Sequence, residues 1–406
     1  MKVLIPLHGF VRWNGGLDFI RLLVAAIESV SDRGITLTFA IPIDSGANRL
    51  LHAGFRQFRK MLAGSLGKSP AGDRDALLQA ALELIGNRPA VRCHDSPAGI
   101  LEAAEISQAD VIFPTTIPLG DRDPARIGYL YDFQHRRLPE LFSPRIRRKR
   151  DKQFLRIAED STGIIVNSRT VMREVVEFLG FPASRILTLP FSPYALPDWF
   201  DACPEDVQHR HGIRGRYLLV CNHFWKHKDH ATALRAFALL RADPANADLG
   251  LVMTGDPIDQ RDPRHYHRLQ DLTRNLGLVE YTRFLGLIPK RDQLALLRGC
   301  EALLQPTLFE GGPGGGSVYE AIGLGVPSIV SDIPINLEID QGAVRFFKAG
   351  DENDLAQQVT SVLLQPRSRR HKDEVIALGN ANLSRLGNTI CDYLHGILDS
   401  RAGLRR

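Results

Sequence analysis

Cysteine is scarce in this 406-residue chain. Cys93, Cys203, Cys221, Cys300 and Cys391 are odd in number and far apart. That spacing offers neither metal-ligand pairs nor a disulfide framework, so reduced thiols serving as small apolar side chains are expected. Long apolar runs are missing too, none approaching the ~18 residues that span a bilayer. The opening MKVLIPLHGF has the apolar length of a core strand and lacks a signal peptide's longer apolar region and cleavage site. A cytoplasmic protein is expected. Aromatic residues are only 7% of the chain, and no aromatic-rich RNA module or zinc-finger spacing accompanies the net charge of +5. Nucleic acid is therefore not an expected partner. The charge is also localised: residues 136–152 hold eight Lys or Arg against Glu140 and Asp151, a net +6.

With 44% hydrophobic and 24% charged residues, the chain reads as globular, and its length suits two domains better than one. Apolar strand-like runs at 3–7, 35–41, 111–114, 127–131, 163–167 and 186–190 are interspersed with helical patterns at 16–30, 76–85, 144–158 and 170–179. Four prolines in PFSPYALPDWFDACPED interrupt the rhythm. It then restarts, with strands at 217–221, 249–254, 283–285, 302–304, 328–331 and 344–347. Helices are expected at 229–240, 264–275, 291–298, 317–324 and 353–364. A final helix carries Leu386, Ile390, Leu394 and Ile397 on one stripe. Continuous apolar strands alternating with helices predict α/β architecture with parallel sheets covered on both faces. The expected units are 1–192, 193–385 and a terminal helix, 386–406, returning to the first. Ligands bind such sheets outside the carboxyl ends of their strands.

The chemistry concentrates in PTLFEGGPGGGSVYEAIGLGVPSIVSD, from Pro306 to Asp332. Glu310 and Glu320 bracket a loop of five glycines and one proline, and a helix expected to begin near Ser317 follows. Dense glycine lets backbone amides approach a ligand, and a helix start adds unpaired N–H groups and a positive dipole end. Such a pocket suits an anion flanked by hydroxyls, which describes a nucleoside diphosphate sugar. Gly15 and Gly16 open another helix in the first half, either as a second anion-facing turn or as a simple tight turn.

Seven segments occur in an order that resembles a GT-B retaining glycosyltransferase of family 4. They are FVRWNGGLDFIRLL, YLYDFQHRRLPELFS, GIIVNSRTVMREV, LLVCNHFWKHKDHATALRAF, LVMTG, FLGLIPKRDQLALLRGCEALLQPTLFEGG and SVYEAIGLGVPSIVSDI. The resemblance implies two Rossmann-like domains facing a central cleft, and a nucleotide-sugar donor, UDP- or GDP-linked. It implies a saccharide or lipid-linked acceptor in bacterial surface polysaccharide or lipopolysaccharide synthesis, with no metal and no further cofactor. It makes Glu310 the contact to the donor sugar and Glu320 the partner of the ribose. Gly314, Gly315 and Gly316 become amide donors, Lys228 the cation facing the departing diphosphate, and His135 a group near the reacting sugar. Asn222, Gly255, Gly15 and Gly16 complete the donor site.

Two departures stand out. The family places seven residues between its two glutamates; here there are nine. An arginine is common where Asn222 stands, so His223, Lys226 or His227 would have to supply the missing charge. No matched motif offers a carboxylate nucleophile for double displacement, so the resemblance implies a front-face reaction. An epimerase or hydrolase of sugar nucleotides, or a non-catalytic sensor, would use the same pocket.

The basic segment contains Ser143 and Pro144, a capping hydroxyl before proline at the first helical position. The helix would present Arg145, Arg147, Arg148, Lys149, Arg150 and Lys152, with Ile146, Phe154, Leu155 and Ile157 turned inward. Either a solvated face or a docking patch for an anionic membrane follows.

Overall fold

The computed structural model describes residues 1–12, 14–43, 70–120, 123–366 and 370–404. Two parallel sheets organise them. The first runs β3-β2-β1-β4-β5-β6-β7, from β1 (Lys2–Pro6), β2 (Thr36–Ile43), β3 (Ala90–His94), β4 (Val111–Thr115), β5 (Ala125–Tyr129), β6 (Gly163–Val166) and β7 (Ile186–Thr188). The second runs β10-β9-β8-β11-β12-β13, from β8 (Tyr217–Cys221), β9 (Gly250–Thr254), β10 (Thr282–Gly286), β11 (Ala302–Gln305), β12 (Ser328–Ser331) and β13 (Arg345–Phe347). Central strands such as β4, β5, β6, β11 and β12 are buried along their whole length, as a sheet covered on both faces demands. Each sheet reverses its order once, at β1/β4 and at β8/β11. These crevices are where α/β sheets receive ligands.

The helices are α1 (Asn14–Glu28), α2 (Pro70–Ile85), α3 (Pro97–Ile106), α4 (Gln134–Arg137), α5 (Pro144–Asp160), α6 (Arg169–Leu179), α7 (Pro204–Arg210), α8 (His230–Arg241), α9 (His265–Asn275), α10 (Lys290–Gly299), α11 (Gly315–Leu324), α12 (Glu352–Leu363) and α13 (Lys372–Leu404). Local chemistry fixes many ends. Ser96, Ser143 and Ser168 accept the amides of Gly99, Ile146 and Val171, and Gly180 and Gly325 close α6 and α11 in the left-handed conformation. None of the described helices is long and apolar enough to cross a membrane.

Several expectations need correction. β3 and α3 were not foreseen, because AVRCH alternates exposed and buried positions and has no apolar run. Helix α11 starts two residues before Ser317. Its N-cap Gly314 and first residue Gly315 both have left-handed φ, 64° and 70°, a conformation open to glycine. Helix α13 begins at Lys372, well before the apolar stripe, whose Ile390 and Leu394 are fully buried. It lies along α1 so closely that a Cβ on Gly387 would sit 2.0 Å from the Ala26 carbonyl oxygen. Tyr393 donates to the carbonyls of Ile164 and Arg185 at 3.2 and 2.8 Å. In α5 the buried residues are Phe154, Ile157 and Ala158, while Ile146 and Leu155 are exposed.

Candidate functional site

The site is assembled from the loops that follow the carboxyl ends of β8, β9 and β11. Asn222 leaves β8 and Gln305 ends β11, the two strands flanking the switch point. Asn222 Nδ2 donates to Gln305 Oε1 at 2.5 Å. Gln305 Nε2 in turn donates to Glu310 Oε1 at 3.0 Å and to the Gly314 carbonyl at 2.9 Å. Glu310 also pairs with Lys228 Nζ, both side chains being about nine-tenths buried. A relay Asn222–Gln305–Glu310–Lys228 therefore fixes the glutamate's rotamer. Nothing in the sequence singled out Gln305, which is 2% exposed. A polar side chain ending an apolar strand is its one signal.

The glycine loop is held from behind. Asn336, fully buried, accepts the Gly314 amide at 2.8 Å and donates to the Ser331 carbonyl at 3.0 Å. Gly315 lies against the Glu310 carboxylate, and Gly316 has open space where a side chain would project. Gly255 also allows a close approach: a Cβ there would lie 2.0 Å from the Asn222 carbonyl oxygen. That contact seats the turn after β9 directly against the turn after β8.

The charge missing at Asn222 is not replaced by histidine. His227 is buried, and burial, with Lys228 and Arg261 nearby, pushes its imidazole down to about 2. Burial lowers His223 as well, and its Nδ1 accepts the Asp256 amide at 3.0 Å. Both rings are neutral at pH 7. Lys226 is exposed, so Lys228 is the cation held at Glu310.

Glu320 sits on α11 with 8% of its side chain exposed, its Oε1 bonded to Lys290 Nζ and its Oε2 without a hydrogen-bond partner. The ammonium also meets Asp18 Oδ2 at 3.2 Å. Burial opposes the charge on Lys290, but Asp18 and Glu320 outweigh it and hold the ammonium above its ordinary range. Asp18 lies on α1, whose first turn contains Gly15 and Gly16. Neither Lys290 nor Asp18 is marked in the sequence, because the two meet only across the cleft.

Other contacts close the two sheets' loops together. Gly311 approaches Tyr131, and its carbonyl accepts Ser168 Oγ at 3.4 Å. Arg261 Nη1 donates to Gln134 Oε1 at 3.1 Å. Glu338 accepts the amides of Arg169 and Thr170 and the Thr170 hydroxyl, each at 2.7 Å. Among the described residues no cluster of three or more His, Cys, Asp or Glu is placed to hold a metal ion.

His135 is not brought to this centre. Its ring is fully buried between Phe133 and Phe154, with Nε2 3.0 Å from Asp151 Oδ1, and burial lowers its affinity for a proton. It cannot touch a sugar in this arrangement. Arg150 is likewise withdrawn from the basic surface. It donates to Asp132 at 2.7 Å and lies over the rings of Tyr131, Phe142 and Phe154. Arg147 is half-buried; Arg145, Arg148, Lys149 and Lys152 remain exposed.

This strand-end site coincides with a known domain. Residues 205–375 match the family Glycosyl transferases group 1. The glycosyl transferases group 1 domain thus contains Lys228, Gly255, Glu310 and Glu320. Mannosylfructose-phosphate synthase of Agrobacterium fabrum is 23% identical over 131 residues, 32% of this chain and 28% of that protein, so the chain spans just over a quarter of this relative. Among solved structures, sucrose-phosphate synthase from Thermosynechococcus elongatus superposes with a TM-score of 0.59 at 15% identity, over 100% of this chain and 98% of that one. Alr3699/HepE of Anabaena, in complex with UDP-glucose, gives 0.52 at 14% identity, over 99% and 100%. These likenesses show the fold: the chain has the GT-B architecture.

Proposed function

We propose that the protein is a retaining glycosyltransferase that moves a sugar from a nucleoside diphosphate sugar, UDP- or GDP-linked, to a hydroxyl of a saccharide or lipid-linked acceptor. One observation carries this reading most: a buried Lys228–Glu310 pair stands at the amide end of α11, beside a buried glutamate with an unpartnered oxygen. The domain match and the UDP-glucose complex of the similar Anabaena protein support the donor class.

In the proposed reaction the bond between sugar C1 and the β-phosphate oxygen breaks, and its electron pair leaves with the nucleoside diphosphate. Lys228 faces that developing charge, and the amide of Gly316 adds a neutral donor, the Gly315 amide being held by the Gly312 carbonyl at 3.3 Å. Preorganised groups of this kind are worth ~10²–10³ in rate each. The acceptor hydroxyl attacks C1 from the face the diphosphate leaves, and its proton passes to the departing phosphate oxygen. Glu310, oriented by Gln305, contacts the sugar hydroxyls and steadies the positive charge at C1. No metal takes part in this cycle. Glu320 Oε2 accepts from the ribose.

The exposed face of α5 is assigned to an anionic membrane surface, where a lipid-linked acceptor would lie. It combines Arg145, Arg148, Lys149 and Lys152 with exposed Ile146 and Leu155. Cations beside two apolar residues suit an interface better than bulk water.

The test is acceptor-dependent release of nucleoside diphosphate across UDP- and GDP-sugars, with the product's anomeric configuration read by proton NMR. Release without acceptor favours a hydrolase, inversion removes the retaining assignment, and the absence of turnover on every pair removes the reading.

A further inference from the structure

Lys290 links the proposed ribose partner to the opposite half of the molecule. From the first residue of α10, its ammonium binds Glu320 Oε1 on α11 and Asp18 Oδ2 on α1 at 3.2 Å. Asp18 is itself held by Arg21 Nη1 at 2.7 Å. Glu320 is the most buried of the group, and an isolated carboxylate there would be costly without a counter-charge. The ammonium meets that need through Oε1 and leaves Oε2 buried and without a partner. A buried acceptor in that condition calls for a donor, and a ribose hydroxyl is one. An ammonium with three N–H donors can serve both carboxylates at once, so the Glu320 rotamer and the position of α1 are set by one group.

Resting on the donor reading above, we propose that Lys290 is a positioning residue that couples ribose recognition to closure of the two lobes. It holds Glu320 charged and aimed at the ribose while tying that glutamate to Asp18 across the cleft. Donor binding and the Asp18 contact then reinforce each other: a ribose that fixes Glu320 also fixes Lys290 for Asp18. The coupling is reciprocal, as linkage requires.

The experiment measures binding of UDP and GDP, and of their 2′,3′-dideoxy counterparts, by calorimetry. The full chain is used as wild type, Lys290→Met, Lys290→Arg, Asp18→Asn and the double variant Asp18→Asn/Lys290→Met. In wild type the ribose form is expected to bind roughly ten- to a hundredfold tighter than the dideoxy form, the range set by a charge-assisted hydrogen bond. Lys290→Met is expected to cut that ratio about tenfold, and Lys290→Arg to preserve most of it. Asp18→Asn is expected to weaken the ribose form several-fold more than the dideoxy form, and to have no further effect once Lys290 is methionine. Should Lys290→Met fail to fold, Asp18→Asn and Lys290→Arg still decide: an arginine variant without ribose preference, or an unchanged ribose preference in Asp18→Asn, overturns the coupling. A full ribose preference in folded Lys290→Met overturns it too. If wild type binds neither nucleotide, the donor reading itself falls and this coupling with it. Tight binding with an unaltered pattern removes only the coupling.

Discussion

Glu338 accepts the Thr170 amide and the Thr170 hydroxyl with the same oxygen, each at 2.7 Å, and so caps α6 from the other half of the chain. Its second oxygen takes the Arg169 amide. A carboxylate at a helix start gains from the dipole as well as from the bonds, up to ~2 kcal/mol when partly buried. Glu338→Gln is therefore expected to lose about 1–2 kcal/mol of stability and to loosen the lobe contact. Urea denaturation measures the first and protease sensitivity the second; an unchanged midpoint would reduce this contact to a surface ion pair.

On the proposed reaction, Lys228→Met is expected to lower turnover by ~10²–10³ with little change in fold, since it removes the cation proposed to face the leaving diphosphate. Glu310→Gln keeps the shape of the relay from Gln305 and removes its charge, and a similar loss is expected. Acceptor-dependent nucleotide release reads both. Turnover within threefold of wild type in either variant would displace the pair from the reaction.

Vesicle co-sedimentation tests α5. Each basic side chain near an anionic surface contributes ~1 kcal/mol, so Arg148→Glu with Lys149→Glu is expected to weaken binding at least tenfold. Binding should also fall with salt. Equal pelleting with neutral lipid would assign this face to water.

Acid should destabilise the second lobe before its carboxylates protonate. Burial pushes His227 down to about 2 and His230 down to about 3, below the unfolded value of ~6.5. Above that value both states are neutral and the histidines contribute no pH dependence. Below it the unfolded chain takes up protons that the folded chain refuses, so stability falls by roughly 1.4 kcal/mol per pH unit for each histidine. The expected window runs from pH 6 to pH 4. His230→Phe should reduce the slope by one proton, measured as denaturation free energy against pH; a slope that does not change would place the proton uptake elsewhere.

Chelation offers a further check on the proposed cycle. Prolonged treatment with EDTA is expected to leave turnover within about twofold, because Lys228 and backbone amides carry the diphosphate charge. Activity that vanishes and returns with magnesium or manganese would put a cation in the site.

The sequence alone determined the layered α/β architecture, since apolar runs such as GIIV and ALLQ, separated by helical patterns, can be buried only in covered parallel sheets. It also determined which loop carries the chemistry, because glycine density and paired glutamates are properties of contiguous residues. It misread what depends on neighbours far along the chain. His135 looked like a group facing sugar, and only the packing of Phe133 and Phe154 enclosed it; Arg150 looked like surface charge until Asp132 and three rings took it in. Asn336, Lys290 and Glu338 carried no local signature, and Gln305 only that of a polar residue ending an apolar strand, because a polar side chain acquires its role from partners that tertiary structure brings within hydrogen-bond reach. Asp18 and Lys290 lie 272 positions apart. Folding decided their meeting, for an ion pair across a cleft leaves no periodicity in either strand or helix.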